Sequence, residues 1–101
     1  MTLAEGIEVR LKETLGPVSF SDLQEHLARD AVFIAGPDLD LVTCGVAIAT
    51  DDVLRVEQWI VRGSLRKPTR TERDLWPDEK VTRWVAIIVQ PFVIVQLVPD
   101  A

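Results

Sequence analysis

The chain has 101 residues, 48% of them hydrophobic and 27% charged, with a net charge of −5 at neutral pH. That length supports one domain and excludes two, and the balance of apolar and charged side chains is far from that of a disordered segment. One cysteine, Cys44, and one histidine, His26, exclude an internal disulfide and any zinc-finger or zinc-ribbon spacing, so a reducing compartment is expected and neither a metal nor another cofactor.

The start Met1-Thr2-Leu3-Ala4-Glu5-Gly6 lacks the basic residues and apolar run of a signal peptide. The longest apolar run, in the last quarter of the chain, is interrupted by Gln90, Pro91 and Gln96 and is too short to cross a bilayer as a helix. A cytoplasmic protein with no membrane association is expected. Net negative charge argues against nonspecific nucleic-acid binding, which needs a concentrated positive surface.

Leu3, Ile7, Leu11 and Leu15 recur every four residues and predict an amphipathic helix, with Gly16-Pro17 ending it through a left-handed glycine. A second helix follows, capped by Ser19 or Ser21 with Asp22 or Gln24 three positions on, burying Leu23 and Leu27 and leaving His26 toward solvent. Ala31-Val32-Phe33-Ile34-Ala35 reads as a buried strand and as the sheet partner of the chain's end. Asp38-Leu39-Asp40 opens the segment 41–49, where strand alternation competes with a helical face. Its length and small residues favour a tightly packed helix, with Cys44 as a small buried hydrophobe.

Thr50-Asp51-Asp52 offers another cap. A helix with a core stripe of Val53, Val56, Trp59 and Ile60 follows and closes at Gly63. The paired aspartates read as capping residues in preference to a magnesium site. Ser64 to Pro68 is an extended connector, and Thr69-Arg70-Thr71-Glu72 is a capping box for a brief helix that Pro77 stops, with an exposed turn at Asp78-Glu79-Lys80. From Arg83 onward both alternating sets are apolar, as in a strand covered on both faces. An unbroken strand to Val98 would be about 50 Å long at roughly 3.3 Å per residue, so the chain must fold back or bend at Gln90-Pro91. The fold expected is α+β: four to five short helices on a small sheet built from about residues 31–35, 83–90 and 92–98.

Several of these landmarks occur together. Phe20-Ser21-Asp22-Leu23-Gln24, Leu39-Asp40-Leu41-Val42, Asp51-Asp52 leading to Val56-Glu57-Gln58-Trp59 and Gly63, Lys67-Pro68-Thr69, and Trp84-Val85-Ala86 with Gln90-Pro91-Phe92-Val93-Ile94-Val95-Gln96 resemble a family of small uncharacterised bacterial proteins, domain of unknown function 2288, over nearly the whole chain. Phe92 stands where that family's pattern has tryptophan, which keeps an aromatic. The resemblance implies a compact bacterial cytoplasmic protein, complete as given, and it carries no activity, cofactor, substrate or functional residue.

Charge is unevenly spread. Residues 55–83 hold eight of the eleven basic side chains and are net +3, whereas the remainder is −8. Within the basic segment 62–73, Arg66, Lys67 and Arg70 lie at the start of the 69–76 helix, where backbone N–H groups also favour an anion. Solvated helix faces balanced by neighbouring acids are the simpler reading.

Two binding functions follow as expectations. The first is an interaction or regulatory module acting as a homodimer through the apolar end of the chain, with Trp84, Gln90 and Gln96 marking where the sheet meets solvent or a second subunit. The second is a binding protein for a small anionic molecule or an acidic protein through Arg66, Lys67 and Arg70. Stacking of nucleic acid on Trp76 and Trp84 is the weaker variant. No Gly-rich phosphate loop and no Ser/His/Asp or Cys/His set is present, so no residue is singled out as catalytic.

Overall fold

A computed structural model describes residues 3–75 and 83–98. Five helices, α1 (Leu3–Thr14), α2 (Phe20–Ala28), α3 (Leu41–Ala49), α4 (Val53–Arg62) and α5 (Arg70–Leu75), pack around five strands, β1 (Gly16–Val18), β2 (Val32–Ala35), β3 (Leu65–Arg66), β4 (Arg83–Val89) and β5 (Phe92–Val98). The fold is α+β. The strands form one mixed sheet in the order β1-β4-β5-β2-β3.

Local chemistry accounts for most helix boundaries. Ser19 caps α2 in a reciprocal box with Asp22, the Ser19 N–H donating to Asp22 Oδ2 at 2.9 Å and the Asp22 N–H to Ser19 Oγ at 3.3 Å. Asp40 accepts from the Thr43 N–H at 2.9 Å and starts α3, so the ambiguous segment is helical. Asp52 caps α4, and Gly63 ends it at φ 77°, a left-handed conformation that glycine adopts without steric cost.

The long hairpin is the centre of the sheet. β4 and β5 pair antiparallel from Arg83↔Val98 to Val89↔Phe92, joined by the two-residue turn Gln90-Pro91, whose peptide bond is cis. β5 also pairs parallel with β2, from Val32↔Val93 to Ala35↔Gln96. The expected partnership between residues 31–35 and the chain's end is therefore present.

Period-two alternation then sorts the apolar side chains to two faces. Phe33, Ala35, Leu65, Val85, Ile87, Val89, Phe92 and Ile94 join the cluster formed with α1, α3 and α4. Val32, Ile34, Trp84, Ala86, Val93 and Val95 join the cluster formed with Leu23 and Leu27 of α2. Cys44, on α3, is fully buried, and burial pushes its thiol up to about 11, as suits a packing residue. Gly45 brings α3 close to the sheet: a Cβ there would run into Ile87, and into Leu11 Cδ1 at 2.7 Å.

Four expectations need correction. Gly16-Pro17 does end α1, but not through a left-handed glycine: Gly16, Pro17 and Val18 run along β4 as an edge strand, against Ala86, Val85 and Trp84. Proline is tolerated there because an edge strand need not donate from both sides. The connector after Gly63 contains β3, which pairs with Ile34 and Ala35. The chain's end does not form an outer strand of the sheet: β5 lies between β4 and β2, and β4 is bordered by β1 at Trp84, Val85 and Ala86, though among the described residues not beyond. Of the stripe expected to bury α4, only Trp59 is buried, while Val53 and Ile60 are at least half exposed. Trp76, the Pro77 stop and the turn at Asp78-Glu79-Lys80 lie outside the described residues.

Candidate interaction surface

Helix α4 packs on α3 and β3 and buries Trp59, with Val56 partly covered. Arg55 lies over the Trp59 ring, 5.5 Å from its centroid. At 100° per residue, Trp59 and Val56 occupy one side of the helix, and Leu54 and Val61, seven residues apart, share the side that points away. Those two are 75% and 84% exposed; Val53 and Ile60 lie about 100° round the helix from them, at 56% and 50%, and the exposed Glu57 stands between the two pairs. Four large apolar side chains thus make a stripe on the outside of one ten-residue helix.

Charge is arranged along this stripe with opposite signs at its ends. Asp51 and Asp52 precede the helix and Arg62 ends it. A notch of about 160 Å³ opens between α3 and α4, lined by Ala47, Ile48, Val53 and Val56 with Asp51, Asp52 and Glu57. Its floor is apolar and its rim is acidic. Sequence periodicity marks Val53, Val56, Trp59 and Ile60 as the buried stripe and passes over Leu54 and Val61. Apolar residues covering more than half of the helical circumference are the signal that reveals them, because a helix on a sheet cannot bury that much of itself.

The binding residues expected from the sequence lie elsewhere and are not gathered into one site. Arg66 forms a two-pronged ion pair with Glu72, at 2.6 Å to Oε1 and 2.9 Å to Oε2. Lys67 reaches Asp30 Oδ2 at 2.6 Å, and Arg73 takes the other oxygen of the same carboxylate at 3.0 Å. Lys67 also lies over the Phe33 ring. Arg70 is exposed and has no ion pair among the described residues. Three of the five cations in the basic segment are thus paired, Lys67 and Arg73 sharing the carboxylate of Asp30, and these contacts tie α5 to the turn between α2 and β2.

Trp84 is half-buried against the α2 side of the sheet, and Gln90 is exposed in the hairpin turn. Gln96 is partly buried, and its Nε2 donates to the carbonyls of Gly36 at 2.8 Å and Leu39 at 2.6 Å. It holds the loop between β2 and α3 to the sheet. His26, read as facing solvent, is half-buried, its Nδ1 2.6 Å from an Arg29 guanidinium nitrogen. Among the described residues no three His, Cys, Asp or Glu side chains are grouped to hold a metal ion, and no helix is long and apolar enough to cross a membrane.

Two expected outcomes follow from these contacts. Gln96→Leu leaves two partly buried carbonyls without their donor and is expected to cost about 1–3 kcal/mol in urea denaturation. Glu72 is pulled down to about 2, first by the hydrogen bonds from Arg66 and then by the Thr69 N–H at 2.9 Å. A carboxylate whose folded value lies below its ordinary 4.5 adds stability above that pH and loses it as pH falls toward about 2. Denaturation of Glu72→Gln across that window is expected to show a shallower acid decline than the parent chain.

Comparison with protein families finds the model of DUF2288, a protein of unknown function, matching residues 6–97. The chain belongs to the DUF2288 family. A structural comparison matches the NMR solution structure of PA1075 from Pseudomonas aeruginosa at a TM-score of 0.77 and 24% identity, covering 99% of this chain and 89% of that one. That likeness concerns the fold. No match was found among curated proteins. For this DUF2288 protein the surface of α4 is therefore read from its own chemistry.

Proposed function

We propose that this chain is a protein-interaction module that acts as a homodimer, with the outer face of α4 as its contact. The observation that carries the reading is the stripe of Val53, Leu54, Ile60 and Val61, all at least half exposed on one helix. Isolated surface leucines and valines need no explanation, but four exposed apolar side chains gathered around one glutamate on a single helix are characteristic of an interaction site.

A second copy suits this surface because the surface is complementary to itself. Two α4 helices related by a twofold axis run antiparallel. With the axis between Glu57 and Gln58, Leu54 of each copy meets Val61 of the other, and Glu57 faces Gln58. The same arrangement brings Arg62 of one copy toward Asp51 and Asp52 of the other. A contact built from one helix about 15 Å long is small, so a dissociation constant on the order of micromolar is expected.

Dilution calorimetry tests it. The parent protein is expected to give a concentration-dependent heat of dissociation, and Arg62→Glu, which turns an attraction into a repulsion, is expected to weaken association roughly tenfold. Athermal dilution of both proteins, with no dimer at any concentration, would remove the reading.

Binding of a small anion or an acidic protein through Arg66, Lys67 and Arg70 gains less support. Such a ligand would first have to displace Glu72 from Arg66 and Asp30 from Lys67. Both carboxylates are held below their usual range by hydrogen bonds from those partners.

A further inference from the structure

β1 is shorter than the strand it borders. It pairs with β4 only at Trp84, Val85 and Ala86, so beyond Gly16 the residues Ile87, Ile88 and Val89 have no strand on that side among the described residues. In an antiparallel ladder successive residues turn their N–H and C=O groups to opposite sides. Pro17 has no N–H to donate and is tolerated where its backbone faces away from its neighbour. Its partner Val85 therefore turns toward β5, while Ala86 turns toward β1. By the same alternation Ile88 turns its N–H and C=O toward the open side, and its side chain is 46% exposed.

A groove flanks this short edge on each face of the sheet. On the α2 face a cavity of about 150 Å³ has Val18, Leu23, Ala86 and Val93 in its wall beside Ile88. On the other face a cavity of about 450 Å³ runs between Ile88-Val89 and α1, whose Arg10 and Glu13 line it. Neither Arg10 nor Glu13 has an ion pair among the described residues. Thr14 borders both grooves.

We propose that the open edge of β4 at Ile87–Val89 binds a short extended segment of a partner protein as an added strand. The occupant is about three residues long at the edge, roughly 10 Å. Its central residue is apolar and fills the α2-side groove next to Ile88. Its two neighbours turn to the α1 side, where one is basic against Glu13 and the other acidic against Arg10. A second copy of this chain fits the edge less well than a free segment. Pairing β4 with itself around Ile88 puts the copy's Gln90 opposite Ala86, where Gly16 already lies.

The probes are the blocked tripeptides acetyl-Glu-Ile-Lys-amide and acetyl-Lys-Ile-Glu-amide, which cover the two strand directions, titrated to millimolar concentration into the ¹⁵N-labelled full chain. One of them is expected to shift the amides of Ile87, Ile88 and Val89 and of residues 10–14. The same peptide N-methylated at the residue whose N–H faces Ile88, isoleucine for an antiparallel strand and the residue after it for a parallel one, lacks the backbone donor but keeps every side chain and is expected to bind at least tenfold more weakly. Absence of shifts at those amides overturns the proposal, as does equal binding of the methylated peptide, which would make the grooves merely apolar. Intermolecular contacts at Ile88 between copies of the chain, unaffected by either peptide, would also overturn it in favour of self-pairing.

Discussion

Ile94→Ala is expected to lower the free energy of unfolding by about 2–5 kcal/mol, as large-to-small changes at fully buried positions do. Ile94 has no exposed surface. It stands in β5 with Ile87 of β4 beside it on one side and Phe33 of β2 on the other, within the cluster closed by α1, α3 and α4. The neighbours belong to different strands and cannot collapse together onto the missing methyl groups without breaking the ladder. A loss of that size is a large part of the roughly 5–15 kcal/mol that holds a domain folded. Urea denaturation followed by tryptophan fluorescence measures it, and a midpoint unchanged from the parent would mean that β5 is not the centre of the fold.

The double change Leu54→Glu with Val61→Glu is expected to have the opposite profile, leaving the fold intact and removing self-association. Both side chains are mostly in solvent within the single chain, and glutamate is at least as good a helix former as valine, so each change is expected to fall within about 0.5 kcal/mol of neutral. Across an antiparallel pair of α4 helices the same changes put four carboxylates into one contact around the twofold axis. Association is expected to weaken by a hundredfold or more, about 2.7 kcal/mol. A variant that loses the dimer and keeps the thermal midpoint of the monomer separates an interface from a core, which a simple loss of stability cannot do.

Features set by neighbours along the chain are legible in the residues themselves. The capping pairs Ser19-Asp22 and Thr69-Glu72, the caps Asp40 and Asp52, and the closing Gly63 each act within about one helical turn. The doubly apolar strands β4 and β5 announce a sheet covered on both faces. β1 and β3 are hidden because Gly16-Pro17 reads locally as a helix stop and Leu65-Arg66 as a connector. Each becomes a strand only through a partner far along the chain, Ala86 in one case and Ala35 in the other.

The candidate site is less legible for the same reason. Whether Lys67 is available to an anion depends on Asp30, 37 residues away, and no spacing rule connects them. Gln96 stands out in its apolar run as a polar group that must find hydrogen-bond partners if buried, but its partners are backbone carbonyls in the β2–α3 loop. On α4 the apolar residues are visible, and the difficulty is rotational. The buried side is set by where α3 and β3 lie, which leaves Val53 and Ile60 toward solvent beside Leu54 and Val61.

Sedimentation velocity on the parent chain and on the Leu54→Glu, Val61→Glu variant, across the micromolar range, tests the proposed homodimer most directly. The parent is expected to shift from monomer to dimer mass as concentration rises, while the folded variant stays monomeric throughout. A parent that remains a monomer at every concentration, or a variant that dimerises as well as the parent, would contradict the assignment of α4 as the contact.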